Sequence, residues 1–456
     1  MRKIFLGLFF VISSQNIFSQ DSDSAIFRKI FDETMLNGQA YDWLHDLCKD
    51  VGHRLSGSPQ ADMAVRWGEN EMKKAGYDKV WLQEVMVPHW VRGQKEYGEI
   101  MGIGQVDVLA LGGSIATPEE GIIAEVIEVN SFEELKKIGK EKTKGKIIFF
   151  NTVFPQNVVN SFDGYGLCGP YRWYGPDSAS AYGAIASITR SVSSAHDDFP
   201  HTGSNGFRSG NAAIPCVAIS TVDADKLHDA LQKNAATKFK MVLDCRMLGE
   251  KKSYNVIGEI TGSELPNEII VVGGHLDSWD VGEGAHDDGA GCVHSMEVIR
   301  TLKALNIKPK RTIRCVLYMN EENGVKGGNG YADWAKTTNE KHIYALESDA
   351  GGFSPKGFSV DADTKDKTAI ANFQKLEKLF TPYGLNEFTV SYSGVDIRPL
   401  LALGTICFGF RPDSQRYMDL HHTANDTFDK VNRRELHMGA AVMTMFCWYL
   451  SEHGLK

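Results

Sequence analysis

The hydrophobic positions of the chain change their period several times, and these changes predict a mixed α/β protein. Apolar residues recur at helical spacing over 24–47 and 60–75, whereas 79–88 is rich in strand-forming residues. Short apolar runs alternate with amphipathic segments between 115 and 245, and the alternation continues from 253 onwards. This pattern is typical of a sheet covered by helices on both faces. We therefore predict a doubly wound, mostly parallel sheet.

The sequence pattern of residues 115–250 differs from that of the two ends of the chain. Residues 115–250 form many short predicted elements, among them a small-residue segment at 178–190 that is predicted as one helix. This stretch shows no catalytic cluster of its own. We predict that residues 20–114 and 251–456 form one domain, into which 115–250 are inserted as a compact α/β unit.

The N-terminus has the pattern of a secretory signal peptide. Arg2 and Lys3 precede an apolar run over 4–12, and small polar residues follow as far as Ser19. The run is too short for a transmembrane helix, which needs ~20 apolar residues. We therefore predict a signal peptide at residues 1–19, no membrane span, and a secreted or periplasmic mature protein.

Composition narrows the class of protein further. The chain has 456 residues, enough for two or three domains at ~150 residues each. Its 49 Lys and Arg against 58 Asp and Glu give a net charge of −9, and no long basic run is present, so nucleic acid is excluded as a partner. The eight cysteines form no C-x-x-C pair; several lie in strand-like runs as core residues, and one or two disulfide bonds are compatible with secretion.

Side chains that bind metals occur where the predicted strands end. His275 and Asp277 directly follow the buried strand at 268–274, and residues i and i+2 of an extended segment share a face. The Asp277 carboxylate is therefore predicted to orient the imidazole. A glycine-rich loop then carries Asp287. The later strand ends are followed by Glu321, Glu322, Asp349, His421 and His422.

Each motif also has a purely structural explanation. Asp287 and Asp288 would cap a helix, adjacent glutamates are common on solvated surfaces, and paired histidines are common in exposed loops. Their shared location at strand ends favours function, because ligands bind there in doubly wound sheets. Two imidazoles and three carboxylates suit zinc, whereas calcium and magnesium favour oxygen alone. Five ligands suit two metal ions about 3.5–4 Å apart that share a carboxylate.

The series H-L-D, D-D-G, E-E, D and H-T-A-N-D-T, which starts at His275 and ends at Thr427, resembles the co-catalytic di-zinc exopeptidases of metallopeptidase family 28. The resemblance extends from about residue 25 to the C-terminus. It implies that 20–114 and 251–456 are a zinc peptidase domain and that 115–250 are a protease-associated domain. It also implies a short peptide or dipeptide as substrate and a homodimer.

The resemblance further assigns two Zn²⁺ ions per chain to the five side chains at the strand ends. One zinc is assigned to His275, Asp287 and Asp349, and the other to Asp287, Glu322 and His422. Asp287 is thereby the bridging ligand.

The remaining roles are also assigned by resemblance. Glu321 becomes the general base and Asp277 the partner of His275. His421 stands where other members often have a tyrosine that stabilises the oxyanion, so the group with that role is unassigned. His286, before the bridging aspartate, either reaches the site or lines its loop.

The sequence leaves several functions open. Metal ligands do not distinguish a carboxypeptidase or dipeptidase from an aminopeptidase, because that choice depends on which terminal charge is captured. Arg398 is a candidate for binding a substrate carboxylate, with a structural ion pair as the competing explanation. Two functions besides peptide hydrolysis are also compatible with the sequence: a glutaminyl-peptide cyclase, which resembles this family but uses one zinc, and a non-catalytic binding domain.

Overall fold

The computed structural model describes residues 14–206 and 210–455. Most of the predicted signal peptide at 1–19 lies outside the described residues, which begin at Ser14. Within these ranges, no helix is long and apolar enough to cross a membrane. The described residues form an α/β structure with two eight-stranded sheets.

The strands, numbered along the chain, are β1 Lys79–Val91, β2 Glu96–Ile100, β3 Gly104–Val106, β4 Val108–Ala110, β5 Ile122–Val129, β6 Ile147–Phe150, β7 Ala186–Arg190, β8 Cys216–Ile219, β9 Lys238–Leu243, β10 Arg246–Ile260, β11 Leu265–His275, β12 Arg311–Tyr318, β13 Lys341–Glu347, β14 Pro355–Asp361, β15 Glu387–Ser391 and β16 Ile406–Pro412. The α-helices are α1 Ser14–Asn37, α2 Ala40–Asp46, α3 Pro59–Lys74, α4 Phe132–Ile138, α5 Lys140–Thr143, α6 Ser161–Ala181, α7 Thr221–Lys233, α8 Ala290–Ala304, α9 Lys326–Thr337, α10 Lys367–Lys375, α11 Glu377–Phe380, α12 Tyr417–Leu420 and α13 Arg433–Glu452.

The first sheet has the order β1-β10-β12-β11-β13-β16-β14-β15. Its central strands β12, β11, β13 and β16 are parallel, as predicted. Strands β1 and β10 are antiparallel to each other, β10 is antiparallel to β12, and β14 is antiparallel to β16 but parallel to β15. Both faces are buried: in β11, Ile270 and Val272 pack into the core that contains α8 and α13, while Ile269 and Val271 face α9. The near-continuous hydrophobic runs of the central strands follow from this double coverage.

The second sheet, β3-β2-β9-β5-β6-β7-β8-β4, is built from residues 96–243. Strands β1 and β10, which pair in the first sheet, lead into and out of it. It thus begins before residue 115, because the short strands at 96–110 pair within it. We call residues 96–243 the insert.

One predicted element of the insert is wrong. The segment 178–190, predicted as one helix, instead ends α6 at Ala181 and forms the buried strand β7 from Ala186. Gly183, at φ +82°, lies between them, and this conformation ends helices. The preceding residues of α6 include Pro170, Pro176 and several glycines. Because these residues have low helix propensity, the sequence did not predict a helix there.

All eight cysteines are buried and unbridged. Burial raises the pKa of Cys48 to about 12, so this thiol stays protonated and behaves as a small apolar core residue. The structure therefore agrees with the core interpretation of the cysteines rather than with disulfide bonds.

Helix α8 begins directly against the end of β13 because Gly291 has no side chain. A Cβ there would lie 1.9 Å from the Ser348 carbonyl oxygen. We expect Gly291→Ala to lower the free energy of unfolding by about 1–3 kcal/mol through overpacking, measured by urea denaturation. In the control Gly166→Ala, on helix α6, the added Cβ meets nothing within 4 Å. That control should be neutral or more stable by up to ~1 kcal/mol; equal effects of the two changes would contradict the prediction.

Candidate metal centre

The predicted ligands meet at one edge of the first sheet. His275 is the last residue of β11, Glu322 follows β12, Asp349 follows β13, and His422 comes after β16 and the short helix α12. Because these four strands are parallel and adjacent, their carboxyl ends face a common crevice. Asp287 reaches the crevice from the loop before α8. Four of the five side chains are buried, and Asp349 is half-buried.

Asp287 lies between the two imidazoles. Its Oδ1 is 3.1 Å from His275 Nε2, and its Oδ2 is 3.2 Å from His422 Nε2. Beyond it, His275 Nε2 lies 3.6 Å from Asp349 Oδ1, and His422 Nε2 lies 3.1 Å from Glu322 Oε2. Tetrahedral zinc with bonds of about 2.0–2.1 Å would hold its ligand atoms roughly 3.3 Å apart. The separations therefore fit two groups of ligands that share Asp287.

The unsatisfied atoms of the site also fit a cation. Asp287 Oδ2 and Glu322 Oε1 are buried and have no hydrogen-bond partner in the described structure. His275, Asp287 and Asp349 each have a ligand atom within 4.8 Å of the other two, and so do Asp287, His421 and His422. His421, whose Nε2 lies 3.7 Å from Asp287 Oδ2, thus stands beside the second group as well.

The carboxylates and imidazoles of this site shift one another's pKa values. Burial raises the pKa of Glu322 to about 7, and Asp287 acts in the same direction. For His422, burial lowers the pKa, but Glu322 and Asp287 outweigh it and raise the value to about 9. The pKa of His275 is also raised, since Asp287 and Asp349 outweigh burial. Such shifts are expected where carboxylates and imidazoles share one buried site.

Asp277 contacts His275 in a different way from the prediction. The group within hydrogen-bond distance of His275 Nδ1 is the backbone carbonyl oxygen of Asp277, at 2.9 Å, and the carboxylate Oδ1 lies 3.9 Å away. That Oδ1 instead accepts the backbone N–H groups of Asn320, at 2.7 Å, and Glu321, at 3.0 Å. The residue thus orients His275 through its main chain and fixes the backbone of Glu321 through its side chain.

Two acids that the sequence did not assign support the ligands. Asp426 accepts the backbone N–H groups of His286 and Asp287 at 2.8 and 3.1 Å. Asp288 Oδ2 accepts the backbone N–H of His275 at 3.0 Å. Both acids belong to the D-D-G and H-T-A-N-D-T motifs, so the motifs themselves were the available signal.

Two residues whose roles the sequence left open lie away from the metal ligands. The His286 ring stacks on Phe353 with centroids 4.3 Å apart, and its Nδ1 accepts the backbone N–H of Gly352 at 3.1 Å, so this histidine lines the loop. Arg398 forms an ion pair with Asp363 and is not among the residues that line the cavity at the site. The structure therefore favours the structural ion pair for Arg398.

The insert holds the loop that carries His421 and His422. His201 Nδ1 donates to the His421 carbonyl oxygen at 2.7 Å, and the Thr202 N–H donates to the His422 carbonyl oxygen at 3.0 Å. The Thr202 carbonyl oxygen lies 3.2 Å from His422 Nδ1. Because a carbonyl only accepts, His422 carries its proton on Nδ1 and presents Nε2 to the metal site. The insert, predicted to have no catalytic cluster of its own, thus contributes to the site.

A cavity of about 1020 Å³ opens over these residues. Its walls come from both parts of the chain, and the insert contributes Val159, Asn160, Phe162, Asp163, Tyr165, Arg172, Trp173, Ser204, Asn205 and Gly206. The cavity is large enough for a short peptide.

Carboxylates and imidazoles gathered at the carboxyl ends of parallel strands are typical of zinc-dependent hydrolases with an α/β sheet, and this site has that arrangement. Residues 255–447 match the model of Peptidase family M28. The chain belongs to peptidase family M28. It is 33% identical over 415 residues to carboxypeptidase Q of Homo sapiens, covering 91% of this chain and 85% of that protein. Carboxypeptidase Q of Xenopus laevis is 34% identical over 419 residues, covering 91% and 86% of the two chains.

Solved structures agree with this assignment. A peptidase M28 precursor from Shewanella amazonensis SB2B superposes with a TM-score of 0.91 at 34% identity, covering 96% of this chain and 99% of that one. BSAP, a zinc aminopeptidase from Bacillus subtilis, has a TM-score of 0.65 at 20% identity, covering 90% and 94%, and shares the fold. The family resemblance and the predicted zinc exopeptidase are confirmed by these comparisons.

Proposed function

We propose that this chain is a secreted exopeptidase of the carboxypeptidase or dipeptidase type, which uses two zinc ions and Glu321 as general base. The observation that carries the proposal is the position of Asp287, whose two carboxylate oxygens each face a different imidazole. The zinc ligands are His275, Asp287 and Asp349 for one ion and Asp287, Glu322 and His422 for the other. When bound, the zinc ions polarise the scissile carbonyl and increase the acidity of the attacking water.

Glu321 moves the proton. Its carboxylate lines the cavity beside Glu322, and its backbone is fixed by Asp277. Burial raises the pKa of Glu321 well above its ordinary value, with Asp349 and Glu322 in the same direction. Glu321 accepts a proton from the attacking water while the oxygen bonds to the carbonyl carbon, and it passes that proton to the leaving amine as the C–N bond breaks.

We assign Arg411, one of three cationic residues that line the cavity, to receive a substrate carboxylate. It lines the cavity, and its described hydrogen bonds use Nε, which donates to Ser359 Oγ at 2.9 Å, and Nη2, which donates to the Tyr392 carbonyl oxygen. Nη1 is left for a substrate. A guanidinium held by two bonds is preorganised for a carboxylate, and this supports the carboxypeptidase or dipeptidase type over the aminopeptidase type.

Dipeptides blocked at one terminus test which terminus of the substrate the enzyme recognises. We expect chelator-sensitive hydrolysis of a free dipeptide and loss of hydrolysis when its C-terminus is amidated, because amidation removes the charge that Arg411 binds. N-acetylation separates the two remaining types: a carboxypeptidase tolerates it and a dipeptidase does not. Products are quantified by mass spectrometry. Hydrolysis of the amidated but not the acetylated form would mean an aminopeptidase.

A pair of variants links the result to one residue. Arg411→Met should raise KM for the free dipeptide by about 10-fold or more, the loss of a charge-assisted hydrogen bond. Arg311→Met is the matched control, since Arg311 is paired with Glu268 outside the cavity and should leave KM unchanged. Equal KM values for the two variants would contradict the role of Arg411.

Several further features belong to the same proposal. We propose that the insert is the protease-associated domain, supported by its separate sheet between β1 and β10. Secretion rests on the signal-peptide pattern of residues 1–19, and the homodimer rests on the family resemblance. A zinc content of two per chain distinguishes this enzyme from a one-zinc glutaminyl-peptide cyclase.

A further inference from the structure

Helix α6 of the insert places two polar side chains in the wall of the cavity. Tyr165 and Arg172 are seven residues apart on this helix, so they lie on one face, two turns from each other. Both line the cavity together with Asp287 and Glu321. Arg172 is only 4% exposed, which is rare for a guanidinium and requires specific partners.

Arg172 is held against the metal-site loop. Its Nη1 donates to the Thr202 carbonyl oxygen at 3.4 Å. His422 Nδ1 lies 3.3 Å from the same Nη1, but both nitrogens carry protons, so this approach is not a hydrogen bond. The backbone of Gly203 passes so close that a Cβ would lie 2.4 Å from the Arg172 Cζ. The guanidinium therefore has one location, fixed by the insert itself.

From that location Arg172 Nη2 donates a hydrogen bond to the Tyr165 hydroxyl oxygen at 2.6 Å. Arginine has no acceptor, so the tyrosine oxygen must be the acceptor and its own proton is directed elsewhere. The described contacts give that proton no acceptor in the protein. The Tyr165 ring packs edge-on against His421, with centroids 5.3 Å apart, and the His421 ring stacks on His422, so Tyr165 lies beside the loop that carries the proposed ligand.

We propose that Tyr165 is a catalytic residue supplied by the insert: its O–H, polarised by Arg172, donates a hydrogen bond to the oxyanion that forms when the peptide carbonyl is attacked. This rests on the proposed function. The tyrosine keeps its proton throughout, so no further acid or base is required. A preorganised donor of this kind contributes about 10²–10³-fold to kcat.

The test compares Tyr165→Phe with the wild type as zinc-loaded full-length protein. We expect kcat for a free dipeptide to fall about 10²-fold or more, with KM within about 2-fold and an unchanged zinc content. Calorimetry gives an independent readout: a phosphinic dipeptide analogue, whose tetrahedral phosphorus carries an anionic oxygen, should bind more weakly by a similar factor. Binding of a product amino acid should not change.

Two further variants control for structure. Tyr171→Phe removes a hydroxyl from the same helix, outside the cavity lining, and should leave kcat and phosphinate binding unchanged. Arg172→Met removes the donor to the Tyr165 hydroxyl without changing the backbone at Thr202, and should lower kcat in the same direction as Tyr165→Phe.

Other outcomes overturn the proposal. If the wild type is active and Tyr165→Phe has the same kcat, Tyr165 does not stabilise the oxyanion, but the proposed function stands. A raised KM with unchanged kcat would place Tyr165 in ground-state binding instead. A zinc-loaded wild type that hydrolyses no dipeptide or short peptide overturns both the proposed function and this role.

Discussion

Glu321→Gln is expected to retain both zinc ions and lose about 10²–10⁴-fold in kcat, because the amide cannot accept a proton from the attacking water. The backbone of residue 321 is held by Asp277 in either case, so the geometry of the site should persist. Zinc content is measured by mass spectrometry of the metal, and kcat by hydrolysis of a free dipeptide.

The neighbouring glutamate is the matched control. Glu322 Oε2 lies 3.1 Å from His422 Nε2, within the proposed metal centre, so Glu322→Gln should lose zinc as well as activity. Glu321→Gln should therefore lose activity alone, whereas Glu322→Gln should lose both activity and zinc. Retention of near-normal turnover in Glu321→Gln would overturn the assignment of the general base.

Asp287→Ala has the largest expected effect on metal binding. One carboxylate serves both ligand groups, so its removal should reduce zinc from about two per chain to less than one and lower activity below that of Glu321→Gln. Asp426→Asn is a graded comparison, since Asp426 holds the backbone of Asp287 without being a proposed ligand. It should weaken zinc binding about 10–100-fold. A variant Asp287→Ala that still binds two zinc ions would show that Asp287 is not the bridge.

The location of the site could be predicted because its ligands follow consecutive parallel strands. His275, Glu322 and Asp349 each lie at or shortly after the end of a buried strand, and parallel strands bring such positions to one edge. The prediction for the Asp277 carboxylate was wrong in its details. The rule that i and i+2 share a face holds only in an extended strand, and β11 ends at His275, so the carbonyl faces the imidazole instead.

The contribution of the insert could not be predicted. Arg172 and Thr202 are distant in sequence from His422, and nothing in the sequence assigned either of them a role in the site, so only the packing of the insert against the loop brings them together. The insert was also expected to begin at residue 115. The strands at 96–110 are only three to five residues long, and such short runs carry little periodicity with which to assign them to one sheet or another.

The bonds between Thr202 and His422 have a thermodynamic consequence. One side of this contact belongs to the insert and the other presents Nε2 to the zinc site, so ordering either side lowers the entropic cost of ordering the other. Linkage makes this effect reciprocal: whatever zinc adds to the docking of the insert, the docked insert adds to the affinity for zinc. We therefore expect the two parts of the chain to act as one cooperative unit in metal binding, although each has its own sheet. Their packing is also shared, since Trp90 and Trp279 belong to the same hydrophobic cluster as the strands of the insert.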